Sequence, residues 1–167
     1  MIIWGLFFVG CVLFINALLL MNKIDNKGAA VFNVLVGTLV FLMALINALK
    51  FFPEDPWALW NSAGATLFAF TYFMVGITNL KDYDGKATGW YCLWVSIVAI
   101  PFAITNMVVF QDYIFGPIWL SWSYLWFLFF LLLGLGRNIL RLTIWSTMII
   151  AWVTCTIPAY LIFIGYI

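Results

Sequence analysis

Histidine is missing from this 167-residue chain, and charge is scarce: seven Lys or Arg and six Asp or Glu make up 8% of it, for a net charge of +1. Without imidazole, the usual zinc sites and the Ser-His or Cys-His nucleophile pairs have no parts, so no metal, no cofactor and no catalytic residue is expected. No basic tail or stripe is present to neutralise phosphates, which excludes nucleic acid as a partner. Cysteine amounts to Cys11, Cys92 and Cys155, far apart in apolar runs and without C-x-x-C spacing. They read as small buried hydrophobes and say nothing of redox compartment.

What remains is apolar: 67% of the residues are hydrophobic and 20% aromatic, with a mean hydropathy of +1.15. No soluble core needs that much. A bilayer crossing takes about 20 apolar residues, so six of them consume roughly 120 and leave only short connections. The first apolar run, Ile2 to Met21, has no basic stretch before it and no A-x-A site after it. It is long enough to span, and reads as a retained helix rather than a signal peptide.

Cutting at the charged residues predicts six transmembrane helices over 2–21, 29–51, 61–80, 89–110, 117–136 and 143–165, and thus an all-α integral membrane protein with residues 1–167 as one six-helix domain. Three connections hold Lys23 and Lys27, Lys81 and Lys86, and Arg137 and Arg141; the other two hold Lys50 with Glu54 and Asp55, and Asp112 alone. The positive-inside rule places the three basic connections in the cytoplasm and both termini outside. The chain then divides into three inward-pointing hairpins. Ile24-Asp25-Asn26-Lys27 and Tyr83-Asp84-Gly85-Lys86 hint at a parallel repeat, although short cytoplasmic turns favour such residues anyway.

The spans carry no Asp, Glu, His, Lys or Arg away from their ends, which removes the parts of a proton relay, an ion-coupled transporter or a voltage sensor. Any permeant is therefore neutral. Hydroxyls and amides are available at Asn16, Asn33, Asn47, Thr71, Tyr72, Asn79, Asn106, Ser121, Ser123, Tyr124 and Thr154, chiefly for bonds between helices. Three odd-numbered spans carry stripes at helical spacing: Leu6, Val9, Leu13 and Asn16; Phe68, Tyr72 and Val75 beside Thr71; and Trp119, Trp122 and Trp126. An interfacial aromatic belt accounts for Trp4, Trp57, Trp60, Trp90 and Trp145. It does not account for Trp126 near mid-depth. Helix packing and a pore wall are both open to that residue, the latter as a slot admitting a flat molecule edge-on.

Several blocks extend along the chain: Leu6-x-x-Val9-Gly10-x-Val12-Leu13-x-x-Asn16, Leu67-Phe68-Ala69-Phe70-Thr71-Tyr72, Trp90-Tyr91-x-Leu93 followed by Pro101, Trp119-Leu120-Ser121-Trp122-x-x-Leu125-Trp126, Asn138-Ile139-Leu140 and Ile157-Pro158-Ala159. In their order and spacing they resemble the AmiS/UreI family of urea and amide channels. That resemblance implies a ring of six protomers, a homo-hexamer in a bacterial cytoplasmic (inner) membrane, each protomer with its own pore through six helices. It also implies that the constrictions are built from Leu6, Val9 and Leu13, from Phe68, Thr71 and Tyr72, and from Trp119, Trp122, Leu125 and Trp126. Thr71 and Tyr72 would then be hydrogen-bond partners for an amide.

The acid-gated members of the family have features this chain lacks. It has no histidine, its outer connections are short, and Ile150 stands where those relatives carry a buried glutamate. A switch near neutrality needs groups that titrate there, whereas carboxyl groups ordinarily do so near pH ~4. The resemblance therefore implies the amide-channel branch: a passive channel open without acid, taking urea, formamide or acetamide and serving a cytoplasmic amidase or urease. Two other classes stay in competition, an alternating-access transporter for a small neutral metabolite and a non-conducting structural subunit.

Overall fold

The computed structural model describes residues 3–166 and is helical throughout. The helices are α1 (Ile3–Leu20), α2 (Asn26–Phe51), α3 (Trp57–Leu80), α4 (Lys86–Val108), α5 (Phe115–Phe129), α6 (Leu140–Ile150) and α7 (Ile157–Phe163). A π turn, Phe130–Gly134, extends α5, and a second, Ala151–Thr156, joins α6 to α7. Six segments are long and apolar enough to cross a membrane, the last two being Phe115–Gly134 and Leu140–Phe163. Ile2, the expected start of the first span, lies outside the described residues.

The second to sixth spans begin earlier than hydropathy places them, because the charges taken as loop belong to the helix starts. Asp25 Oδ1 accepts from the Gly28 N–H at 2.7 Å, and Asp55 Oδ1 from the Trp57 N–H at 2.9 Å. Asp84 does the same for Lys86 at 3.0 Å, and Asp112 for Ile114 and Phe115 at 3.0 and 2.8 Å. Four of the six acids thus satisfy the orphan amides of α2, α3, α4 and α5.

The six spans close into a ring in which chain neighbours touch and the sixth returns to the first. The most extensive packing joins α2 to α3, α4 to α5, and α1 to the sixth span. These tight pairs are offset by one helix from the three inward hairpins suggested by charge. The basic turns link members of different pairs, because a turn's charge reports its side of the membrane and not the area its helices share.

Polar side chains stitch the ring. Asn16 and Asn33 exchange bonds of 3.0 and 2.7 Å between α1 and α2. Asn47 donates to the Ala58 carbonyl and the Ser62 hydroxyl, both at 3.0 Å, between α2 and α3. Thr78 and Thr88 pair at 3.0 Å between α3 and α4, and Ser123 donates to the Ser96 carbonyl at 2.6 Å between α5 and α4. With no water in a bilayer core to compete, each such bond fixes helix position.

Pro158 lacks the N–H that would continue the ladder from α6, and the π turn immediately before it widens the helix. The Thr156 hydroxyl donates to the Ala151 carbonyl across this turn at 2.9 Å. Gly10 of α1 packs directly on Thr156 and Ala151, where a Cβ would collide with both. That contact brings α1 against the last span. Cys92 and Cys155 are buried as expected, but Cys11 is partly exposed on the outer flank of α1.

Candidate functional site: two cavities meeting at an aromatic neck

Two cavities enter the ring from opposite ends. The first, of ≈280 Å3, is bounded by the start of α1, the end of α2, the start of α3, the end of α4 and the start of α5; Leu6, Val9, Gly64, Phe102, Asn106 and Trp119 are on its wall. The second, of ≈120 Å3, lies toward the opposite helix ends and is walled by Leu13, Asn16, Thr71, Tyr72, Leu125 and Trp126 among others. Phe68 and Trp122 belong to both walls. Among the described residues, Asp112 at the mouth of the larger cavity is the one charged side chain on either lining.

The partition between them is aromatic. The Phe68 ring lies 4.8 Å from Trp122, nearly perpendicular at 86°, 4.7 Å from Trp126 and 5.9 Å from Trp119. Trp119 and Trp122 meet edge-on at 5.1 Å. Such edge-to-face arrangements satisfy ring quadrupoles and keep the rings from collapsing into a parallel stack. Helical spacing produces the wall: Trp119, Trp122 and Trp126 follow at intervals of three and four, so α5 presents all three on one face.

Two threonines hold the indoles. Trp122 Nε1 donates to Thr154 Oγ1 at 2.9 Å, and that hydroxyl donates to the Ile150 carbonyl at 2.8 Å. Trp126 Nε1 donates to Thr71 Oγ1 at 3.1 Å, and Thr71 donates to the Leu67 carbonyl at 2.7 Å. Each threonine bridges an indole to the carbonyl one turn back, a position in which a hydroxyl has both a proton to give and a lone pair to offer. The consequence is a neck whose walls offer a solute rings rather than N–H groups.

All ten residues selected from the sequence stand on these walls. Leu6, Val9 and Trp119 face the larger cavity; Leu13, Thr71, Tyr72, Leu125 and Trp126 face the smaller; Phe68 and Trp122 face both. Thr71, expected as a hydrogen-bond partner for an amide, has its proton committed to Leu67 and accepts from Trp126, so it orients an indole and has a lone pair but no proton left for a solute. Tyr72 is free for that role. Its hydroxyl makes no hydrogen bond among the described residues, and no fully buried side-chain polar atom among them is unpaired, so the hydroxyl opens onto the cavity.

Trp60 corrects the interfacial-belt assignment. It is half-buried, tilts against Phe102 at 4.6 Å and lines the larger cavity. Trp4, Trp57, Trp90 and Trp145 are exposed and lie in the first two turns of their helices. Sequence reasoning also missed Phe102, Asn106, Asn61 and Asp112 on the larger cavity and Thr88 on the smaller. A signal for two of them exists: on α4, Cys92, Val95, Ala99, Phe102 and Asn106 recur at three or four residues and are all buried.

This fold is similar to known membrane proteins. A solved structure of the Helicobacter pylori urea channel in a closed state superposes with a TM-score of 0.89, at 29% identity and over 98% of each chain. The AmiS2 protein of Rhodococcus erythropolis is 40% identical over 96% of this chain and 78% of its own length. A Mycolicibacterium smegmatis protein named for the transport of amidate substrates is 38% identical over 96% of this chain and 76% of its own. The family model for AmiS/UreI family transporters matches residues 1–166. With six membrane-length helices around an uncharged neck, and with those matches along its whole length, the chain belongs to the AmiS/UreI family of transporters and channels, a multi-pass membrane protein and not an enzyme.

Proposed function

We propose that the protein is a passive channel for urea and short aliphatic amides such as formamide and acetamide, open without acid, in a bacterial cytoplasmic membrane. The observation that carries this reading is the pair of cavities that approach from opposite ends and abut at Phe68 and Trp122 without a charged group between them. A planar amide presents two apolar faces to aromatic walls and a polar edge to a few hydrogen-bonding groups. An ion finds nothing at the neck to replace its hydration, so the same geometry excludes it.

Leu6, Val9 and Leu13, Phe68, Thr71 and Tyr72, and Trp119, Trp122, Leu125 and Trp126 form the conducting wall. By the positive-inside rule the basic turns support a smaller cavity facing the cytoplasm with both termini outside, so that solute is delivered to a cytoplasmic amidase or urease. Six protomers make a ring, each with its own passage. The absence of histidine, and Ile150 within the last span, leave the passage without a group that titrates near neutrality. Support for an amide rather than an unrelated neutral solute comes from the similarity to the proteins above.

Proteoliposomes test this directly. Stopped-flow light scattering compares entry of urea, acetamide and glycerol into vesicles with and without protein. Acetamide and urea enter faster through the protein, glycerol less so, and internal unlabelled acetamide does not accelerate uptake of labelled acetamide. Accelerated exchange of that kind identifies an alternating-access transporter and overturns the channel reading.

A further inference from the structure

The neck explains exclusion but not recognition, because the indole N–H groups of Trp122 and Trp126 are consumed by Thr154 and Thr71. The larger cavity differs. Trp119 is 5% exposed and Asn106 7%, and both line that cavity. Asn106 Nδ2 donates to the Phe102 carbonyl at 2.8 Å, which fixes the amide orientation and leaves Oδ1 as the outward acceptor. Among the described residues neither this oxygen nor Trp119 Nε1 has a hydrogen-bond partner, and no fully buried side-chain N or O among them is unpaired. Both atoms therefore open onto the cavity that their residues line.

We propose that Asn106 Oδ1 and the Trp119 indole N–H form a docking subsite for a carboxamide or urea group in the outer cavity, ahead of the neck. The two groups are complementary to the two ends of one amide: the indole donates to the carbonyl oxygen, and the asparagine oxygen accepts from the –NH2. Their placement is built. Phe102 stacks on Trp119 at 4.6 Å and 23°, and Asn106 follows Phe102 by one helical turn, about 6 Å along α4. Gly64 permits the arrangement, since a Cβ there would lie 2.9 Å from Phe102 and 3.1 Å from the Trp119 ring. Trp60, tilted against the other face of Phe102, extends the aromatic wall on which the solute's plane rests.

The subsite deepens the channel reading and rests on it. It selects at the entrance for solutes that carry both a carbonyl and an N–H, while the neck selects for flatness. Solute leaving the subsite next meets the Tyr72 hydroxyl on the wall of the smaller cavity, beyond the rings of Phe68 and Trp122.

The test is the ratio of acetamide to water permeability in proteoliposomes, measured for the wild-type protein, for Asn106→Leu, and for protein with 3-benzothienylalanine at position 119, which keeps the ring shape and lacks the N–H. Each change lowers the ratio by about 3- to 10-fold, the value of one lost hydrogen bond. Should Asn106→Leu fail to insert, the ring replacement carries the same comparison. An unchanged ratio in well-inserted altered protein overturns the subsite and leaves the channel standing. Absence of acetamide flux through the wild-type protein overturns the channel reading itself.

Discussion

The threonine behind Trp122 provides a perturbation whose magnitude follows from the geometry. Thr154→Val keeps the side-chain shape and deletes the hydroxyl that accepts from Trp122 Nε1 at 2.9 Å. Trp122 is 1% exposed, so its N–H has no water to turn to. An unpaired donor in such a place costs about 1–3 kcal/mol, which changes the weight of the held indole orientation against any alternative by about 5- to 150-fold. The ring either stays and destabilises the protein or turns to seek a partner in the passage. Thermal unfolding in detergent reads the first outcome and acetamide flux reads the second. We expect a lowered Tm together with a several-fold fall in flux, and recovery of both in Thr154→Ser, which restores the hydroxyl. A Thr154→Val protein equal to wild type in Tm and in flux would refute the idea that this hydrogen bond holds the neck.

Other substitutions probe the ring and its wall. Trp126→Ala removes a ring 4.7 Å from Phe68 and should raise the permeability to bulkier amides without preventing insertion, as measured in the same vesicles. Asn33→Leu strands the Asn16 amide that it pairs with at 2.7 Å; a loss of about 0.6–2 kcal/mol is expected, seen as a lower unfolding midpoint. Gly10→Val places a side chain against Thr156 and the Ala151 carbonyl. It should part α1 from the last span and abolish stable expression, whereas Gly136→Ala, at a glycine with no neighbour within 4 Å but a φ of +62°, should cost only the local strain of that turn, about 1–2 kcal/mol by the same assay.

Hydropathy and charge made the six spans legible because a bilayer leaves so few ways to satisfy a backbone. Helical spacing made the α5 wall legible too, since Trp119, Trp122 and Trp126 are large and few alternatives place three tryptophans on one face. Pairing of helices was not legible. The contact of Gly10 with Thr156 depends on a widened turn that Pro158 permits and no periodicity announces. Nor was the division of labour among polar groups: Thr71 and Tyr72 are adjacent in sequence, yet Thr71 serves an indole while the Tyr72 hydroxyl is free. Trp60 misled because a tryptophan near a span end is ordinarily interfacial, whereas Phe102 of α4 and Phe110 just beyond that helix draw it inward.

Acid independence and amide permeation are joined in one measurement. Purified protein in liposomes is mixed with acetamide or urea at external pH ~7 and ~5, the range in which histidine-based switches act, and entry is followed by light scattering against empty vesicles. The account predicts fast entry of both solutes at both pH values. Entry confined to the acid condition, or none at either pH from well-inserted protein, contradicts it.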